Sequence, residues 1–229
     1  MKSEAISELR RLSDERIDWL LSALTGVLIL LIFVLAPFHA LGVSAVHLFA
    51  IGPLIAIIVG MVIISRSPTC LVLMSIALAA NTAVFFLRLY YPVPFHLHIL
   101  AGAWLIIAGT LGMVVTQAVF RAGRVTYHRI IGAILLYLLI AVAFATLFLF
   151  VGLLDRGAIK GISFDDDQSL ASALFYLSFV TLTSTGYGDI IPVHPFARSL
   201  CNIESIVGQL YPATLLARLV TLEMKDPGR

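Results

Sequence analysis

The chain has 229 residues, of which 60% are hydrophobic and 12% are charged, and its formal net charge is +2. A soluble domain of this size carries about 25% charged residues. The composition therefore excludes an ordinary water-soluble domain and predicts a protein whose apolar surface lies in a lipid bilayer. The small net charge says little about partners, and we expect no binding to nucleic acid.

Six apolar stretches follow one another along the chain. A helix needs about 20 mainly apolar residues to cross the hydrocarbon core of a bilayer. The stretches that meet this requirement, and so predict six transmembrane helices, are 19–37, 43–64, 69–90, 97–120, 130–154 and 196–222. Residues 1–18 mix acidic and basic side chains, which is typical of a cytoplasmic or interfacial helix ahead of the first span.

The distribution of Lys and Arg indicates how these helices cross the membrane. With the N-terminus inside and six alternating helices, eleven Lys and Arg lie in inner segments and four in outer segments. Inner loops of membrane proteins carry an excess of Lys and Arg. We therefore expect a multi-pass protein of the plasma membrane, with a bacterial inner membrane favoured and both termini in the cytoplasm.

A segment of another kind separates the fifth and sixth spans. Residues 170–182 are apolar and helical in pattern but too short to cross a bilayer, and residues 183–189 read Thr-Ser-Thr-Gly-Tyr-Gly-Asp. Extended backbone at membrane depth is tolerated only where it is buried in protein or lines a water-filled cavity. The segment therefore predicts a re-entrant half-helix and a pore-lining strand, in which Gly186 and Gly188 allow the carbonyls to turn towards one side.

The same seven residues resemble the selectivity filter of potassium channels, usually written T-V-G-Y-G-D, and the resemblance covers roughly residues 130–222. It implies a homotetramer in which four copies of the loop surround one axis and rings of carbonyls replace the water around potassium. The implied filter is Ser184, Thr185, Gly186, Tyr187 and Gly188. The implied potassium ligands are the carbonyls of the first four residues, and the Ser184 hydroxyl completes the innermost site. Ser184 replaces the usual Thr and Thr185 the usual Val or Ile, and neither change removes a ligand.

Supporting positions around the filter also follow from the resemblance. An aromatic residue on the pore helix of such channels bonds the Asp after the filter, which here pairs Tyr176 with Asp189. Glu204 is a candidate on physical grounds, because an acid inside a span is costly and is usually functional. We favour a place behind the filter, bonded to pore-helix hydroxyls such as Ser178 or Thr181. A ring of carboxylates in the cavity is the alternative.

The last span contains the predicted gate. Gly208 lies at the spacing of the family's gating-hinge glycine, and Pro212, one turn later, removes a backbone hydrogen bond and predicts a kink. One helix face matches the cavity-lining face of the family and carries Ser205, Gln209, Pro212 and Leu216.

The first four spans lack the pattern of a voltage sensor, which needs Arg or Lys repeated along one span. The fourth span, 97–120, contains neither. The chain thus resembles bacterial six-span, voltage-gated-like subunits without the basic sensor helix. We expect residues 19–120 to form a non-sensing four-helix bundle, 121–222 the pore domain, and 223–229 a short cytoplasmic tail.

Together these observations predict an all-α membrane protein that conducts potassium passively as a homotetramer. We expect no enzymatic activity and no cofactor other than the transported ion, with membrane lipid and the other copies as partners. Three alternatives remain open: a poorly selective cation channel, a subunit of a potassium uptake transporter, and a membrane sensor whose pore unit does not conduct.

Overall fold

The computed structural model describes residues 19–42, 54–55, 58, 68–90, 96–119, 127–165 and 168–224. The predicted helix at 1–18, nearly all of the predicted second span at 43–64, and the tail from 225 onwards lie outside these residues. Within the described part, the protein is helical apart from turns and two strands of two residues each.

Six helices of more than ten residues are described. In chain order they are α1, Trp19–Ala40, α2, Pro68–Tyr90, α3, His96–Val119, α4, Tyr127–Leu154, α5, Leu170–Leu182, and α6, Pro195–Met224. Helix α1 contains a π-helical turn at Leu31–Leu35. The two strands are β1, Ile159–Lys160, and β2, Ile191–Pro192.

Three of the described helices are long and apolar enough to cross a membrane. They contain the segments Trp19–Ala40, His96–Gln117 and Ile130–Leu154. The apolar part of α2, Pro68–Val84, is shorter, and α6 interrupts its apolar residues with charged and amide side chains. The first, fourth and fifth predicted spans are therefore seen as candidate spans, whereas the total of six stays a prediction.

The largest buried cluster lies where α3 packs between α2 and α4, with α1 alongside. Its most buried large side chains include Leu21, Met74, Leu111, Val115 and Leu135. Small residues such as alanine are also buried in this cluster, and small side chains let membrane helices approach closely. Helix α4 is therefore packed against α3 on one side, and it contacts α5 and α6 on another.

A second buried cluster fixes the short helix α5 at the end of α4. It joins Phe148 of α4, Phe164 of the following loop, Leu174 of α5 and Ala197 of α6. A Cβ atom at Gly152 would clash with the ring of Phe164, so glycine lets the loop pack closely over α4 here. The apolar ring therefore holds the start of α5 against α4.

Strands β1 and β2 join the segment before α5 to the segment after it. They are antiparallel, with Ile159 opposite Pro192 and Lys160 opposite Ile191. Gly161 follows β1 with φ +92°, and a Cβ there would lie 2.6 Å from the carbonyl oxygen of Asp189. This backbone pairing clamps the chain just after the predicted filter.

Candidate functional site: an exposed glycine strand and its support

Helix α5 ends where the predicted filter begins. The N–H of Thr183 donates to the carbonyl of Phe179, 3.0 Å, and the N–H of Ser184 to that of Thr181, 2.9 Å. The N–H groups of Thr185 and Gly186 follow by sharing one carbonyl of the last turn. The strand therefore starts directly at the C-terminal end of α5, where the helix dipole is negative and favours a cation.

The backbone of residues 184–188, here called the filter strand, alternates in handedness. Ser184, Gly186 and Gly188 have φ values of 56°, 51° and 83°, and the residues between them lie outside the positive region. Residues other than glycine rarely adopt a positive φ, and Ser184 is the only such residue among those described. Such alternation departs from a β-strand, in which successive carbonyls point to opposite sides. It is therefore the kind of backbone that a carbonyl-lined strand requires.

The predicted pair of Tyr176 and Asp189 is in contact. A hydrogen bond from the Tyr176 hydroxyl to the Asp189 carboxylate is the main cause that raises the pKa of Tyr176. The rings of Tyr176 and Tyr187 are also stacked, with their centroids 6.2 Å apart and an angle of 8° between their planes. Helix α5 thus holds both the filter strand and the residue that follows it.

Glu204 lies behind α5, on the side away from the exposed strand. Its side chain is 0% exposed, and its Oε1 atom lies 2.5 Å from the Ser178 hydroxyl oxygen. That hydroxyl oxygen is also 2.8 Å from the carbonyl oxygen of Ala141 in α4. The carboxyl therefore sits at the meeting point of three helices, in the place favoured from sequence and away from the exposed face of α6.

Gly208 of α6 packs closely against the end of α5. A Cβ atom at this position would overlap the carbonyl oxygen of Leu182, the last residue of α5. One turn further along α6, the Tyr211 hydroxyl donates to the carbonyl of Ala133 in α4, 2.7 Å. Close packing gives Gly208 a role that its spacing did not indicate, and the hinge role stays a prediction.

The predicted cavity face divides into two parts. Ser205 is half-buried and donates its hydroxyl hydrogen to the Thr181 carbonyl, 3.2 Å. Gln209, Pro212 and Leu216 are exposed, and α6 continues as a helix through the proline. The Gln209 amide donates to the Ser184 hydroxyl, 3.0 Å. Three of the four predicted side chains thus share an open face below the filter strand, while Ser205 ties α6 to α5.

Sequence reasoning missed two contacts of this site. One is the Gln209–Ser184 hydrogen bond, which joins positions 25 residues apart and follows no short-range pattern. The other is the β1–β2 clamp, whose strands are too short for any alternation to be visible. For the second contact, the glycine in Lys-Gly-Ile after α4 weakly indicates a turn, and Gly161 there does have a positive φ.

Comparison with known proteins agrees with this geometry. Residues 132–225, from α4 to the end of α6, match a family model described as "Ion channel". Protein LctB from Bacillus caldotenax is 40% identical over 55 residues, which make up 24% of this chain and 40% of that protein. The chain therefore covers less than half the length of this relative. No solved structure matches the chain.

The match assigns the unit of α4, α5 and α6 to an ion-channel pore family. Together with the helices able to cross a bilayer, it makes the chain a membrane protein.

Proposed function

We propose that this protein is the subunit of a homotetrameric potassium channel that conducts passively through the filter strand. The carbonyls of Ser184, Thr185, Gly186 and Tyr187 are the ion ligands, and the Ser184 hydroxyl belongs to the innermost site. One observation carries the proposal. The positive-φ alternation occurs in an exposed strand at the end of a short apolar helix, inside the segment that matches an ion-channel family.

The exposure of the filter strand supports assembly from several copies. Tyr187 is 72% exposed, and every residue from 183 to 189 is exposed in a single chain. Extended backbone with this exposure is not tolerated in lipid. Four copies around one axis would remove the strands from lipid and surround an ion with carbonyls on all sides.

The apolar face of α6 supports the same arrangement. Three large hydrophobic side chains along it, Ile203, Ile206 and Leu210, are between 49% and 58% exposed, and Leu216 on the predicted cavity face is 62% exposed. In the tetramer these side chains face neighbouring helices, lipid or the cavity. Gln209 on the same helix would then meet hydrated ions that approach the filter from below.

The remaining features of the proposal concern topology. Six spans per subunit follow from the lengths of the apolar stretches, and cytoplasmic termini from the distribution of Lys and Arg. The membrane expected for this topology is a bacterial inner membrane. In this topology β1, β2 and Asp189 lie at the outer mouth of the pore. The bundle that precedes α4 has no Lys or Arg along α3 and does not sense voltage.

The test is ion flux into liposomes that contain the purified protein. We expect potassium and rubidium to enter far faster than sodium, with protein-free liposomes as the control, and the native mass to be that of four chains. Near-equal sodium and potassium flux would indicate a poorly selective cation channel. A tetramer without flux would indicate a non-conducting sensor, and selective transport by a single chain would favour a transporter subunit.

A further inference from the structure

The buried carboxyl of Glu204 meets two neighbouring acceptors through one hydroxyl group. The Ser178 hydroxyl oxygen lies 2.5 Å from Oε1 of Glu204 and 2.8 Å from the carbonyl oxygen of Ala141. A serine hydroxyl has one hydrogen to donate and two lone pairs that accept. Ser178 can therefore donate to only one of these two oxygens. The second short contact needs a hydrogen from another group.

A neutral carboxylic acid supplies that hydrogen. If the Glu204 O–H donates to Ser178, the Ser178 O–H is free to donate to Ala141, and both contacts become hydrogen bonds. An ionised carboxylate has acceptors only, so one of the two contacts would bring two acceptors together without a hydrogen. The geometry thus favours the acid over the carboxylate.

The surroundings of the carboxyl lead to the same state. Its second oxygen, Oε2, has no hydrogen-bond partner among the described residues, and the side chain is 0% exposed. A buried ionised carboxylate needs a partner charge or several donors, whereas a neutral carbonyl oxygen left alone is far less costly.

No cation in the described part of the chain compensates this carboxyl. The titratable groups that share its electrostatic surroundings are the phenol of Tyr137 on α4 and the thiol of Cys201 on α6, and neither carries a positive charge. On α5 the facing group is the uncharged Ser178. Because the side chain is already inaccessible in one chain, a second copy of the protein cannot reach it either.

We propose that Glu204 is a positioning residue that acts as a neutral hydrogen-bond donor, linking α6 through Ser178 of α5 to the backbone of α4. The link fixes the side of α5 opposite the filter strand, one turn before Leu182 meets Gly208. The inference rests on the proposed function only in calling that strand a filter. The protonation of the carboxyl is measurable whether or not the protein conducts.

The first test measures the carboxyl itself in the unaltered protein. The chain contains five glutamates, and four of them lie in the charged terminal segments at positions 4, 8, 15 and 223. Carboxyl carbon NMR of the full chain, labelled with carbon-13 in glutamate, should show one neutral acid among four carboxylates at neutral pH. Five carboxylate signals would overturn the proposal without any mutation that risks misfolding.

The second test assigns the signal and its partner. Infrared difference spectra between the wild type and Glu204→Gln should contain the C=O stretch of a protonated carboxylic acid, and Ser178→Ala should shift that band, because the acid loses its acceptor. A difference spectrum without the band would refute the neutral acid. An unshifted band in Ser178→Ala would refute the link to α5.

Function provides the third readout. A glutamine amide can also donate to Ser178, so Glu204→Gln should keep the potassium-over-sodium flux ratio. Glu204→Ala should lower it by about tenfold, since a lost buried donor typically costs about that factor in an equilibrium. Equal loss in both variants would contradict a donor role. Absence of flux in every variant, with the acid signal present, would refute the proposed channel and leave the protonation intact.

Discussion

The two sides of helix α5 differ in how many contacts they make within a single chain. On the buried side, Ser178 contacts Glu204 and Ala141, and Leu182 packs against Gly208, all within one subunit. On the open side, residues 183–189 are exposed. In the proposed channel their carbonyls surround an ion only when other copies are present. The support of the filter strand is therefore intrachain, whereas the proposed pore requires further copies of the chain.

This difference predicts different consequences for mutations on the two sides. A change in the filter strand should leave the folded subunit intact and affect flux, because few intrachain contacts are lost there. A change behind α5 should affect the packing of the subunit first and flux as a result. Measurements of assembly and of flux on the same variants separate the two cases.

The largest effect on flux is expected from Gly186→Ala. Gly186 has φ 51° and nothing within 4 Å of a Cβ atom, so alanine meets no clash but does meet the steric cost of left-handed backbone. We expect loss of potassium flux with unchanged tetramer mass and helix content. Gly109→Ala on α3 is the matched control, since a Cβ there also has nothing within 4 Å.

A Gly186→Ala variant that still conducts selectively would show that this backbone angle is not needed. A variant that fails to assemble would contradict the separation between the open and buried sides. In the first case the filter proposal fails, and in the second case only the comparison does.

The next largest effect is expected behind α5, from Gly208→Ala. The new methyl group would overlap the Leu182 carbonyl, and the neighbouring atoms are backbone that cannot turn aside. Overpacking of this kind costs about 1–3 kcal/mol and occasionally more. We expect a lower midpoint of thermal unfolding in detergent and a smaller fraction of assembled tetramer. Any remaining potassium flux should be proportional to the amount of tetramer.

A hinge role for Gly208 gives a different outcome. If flexibility alone matters, Gly208→Ala should assemble normally with an unchanged thermal midpoint and show altered opening only. That result would favour the gating role expected from spacing over the packing role seen in the structure.

Features of this molecule that depend on residues close together in the sequence could be predicted, and contacts between distant residues could not. Apolar run length predicted α4 and α5 to within a few residues, because a span and a half-helix each have a length that the bilayer sets. An acid inside a span is costly, and Glu204 lies beside the predicted cavity face and not on it, which favours its place behind the filter.

Contacts between residues that are far apart in the sequence could not be predicted in the same way. The fit of Gly208 against Leu182 depends on the distance between two helix axes, which the chain pattern does not contain. The tie from Gln209 to Ser184 likewise depends on how α6 lies beneath the filter strand. The polar residues of α6 explain why it is missing from the candidate spans although it is the longest helix described.

A smaller effect is expected from Tyr176→Phe, which probes the contact between α5 and the end of the filter. The variant keeps the ring that stacks on Tyr187 but removes the hydroxyl that binds Asp189. We expect an intact tetramer with selective flux and shorter open periods in single-channel recordings. Tyr211→Phe is the control, because its hydroxyl binds the Ala133 carbonyl away from the filter. Identical open periods in the wild type and Tyr176→Phe would show that the Asp189 contact does not steady the filter.

The most local effect is expected where the two sides of the comparison meet, at the hydrogen bond from Gln209 to Ser184. Threonine at the innermost position would carry a methyl group that restricts its rotamer, whereas serine lacks it. In this chain the Gln209 amide holds the Ser184 hydroxyl instead. One net hydrogen bond is worth about 0.5–1.5 kcal/mol, so Gln209→Ala should lower the potassium-over-sodium flux ratio roughly two- to twelvefold.

The double variant decides whether this loss arises at the serine hydroxyl. Ser184→Thr alone should change the flux ratio little, and combined with Gln209→Ala it should restore most of the lost selectivity, because the threonine methyl replaces the amide as the restraint on the rotamer. Flux ratios measured for the wild type, both single variants and the double variant give the coupling between the two positions. Additive effects would show that Gln209 acts on ions in the cavity and not through Ser184, and the filter would then be supported from behind α5 alone.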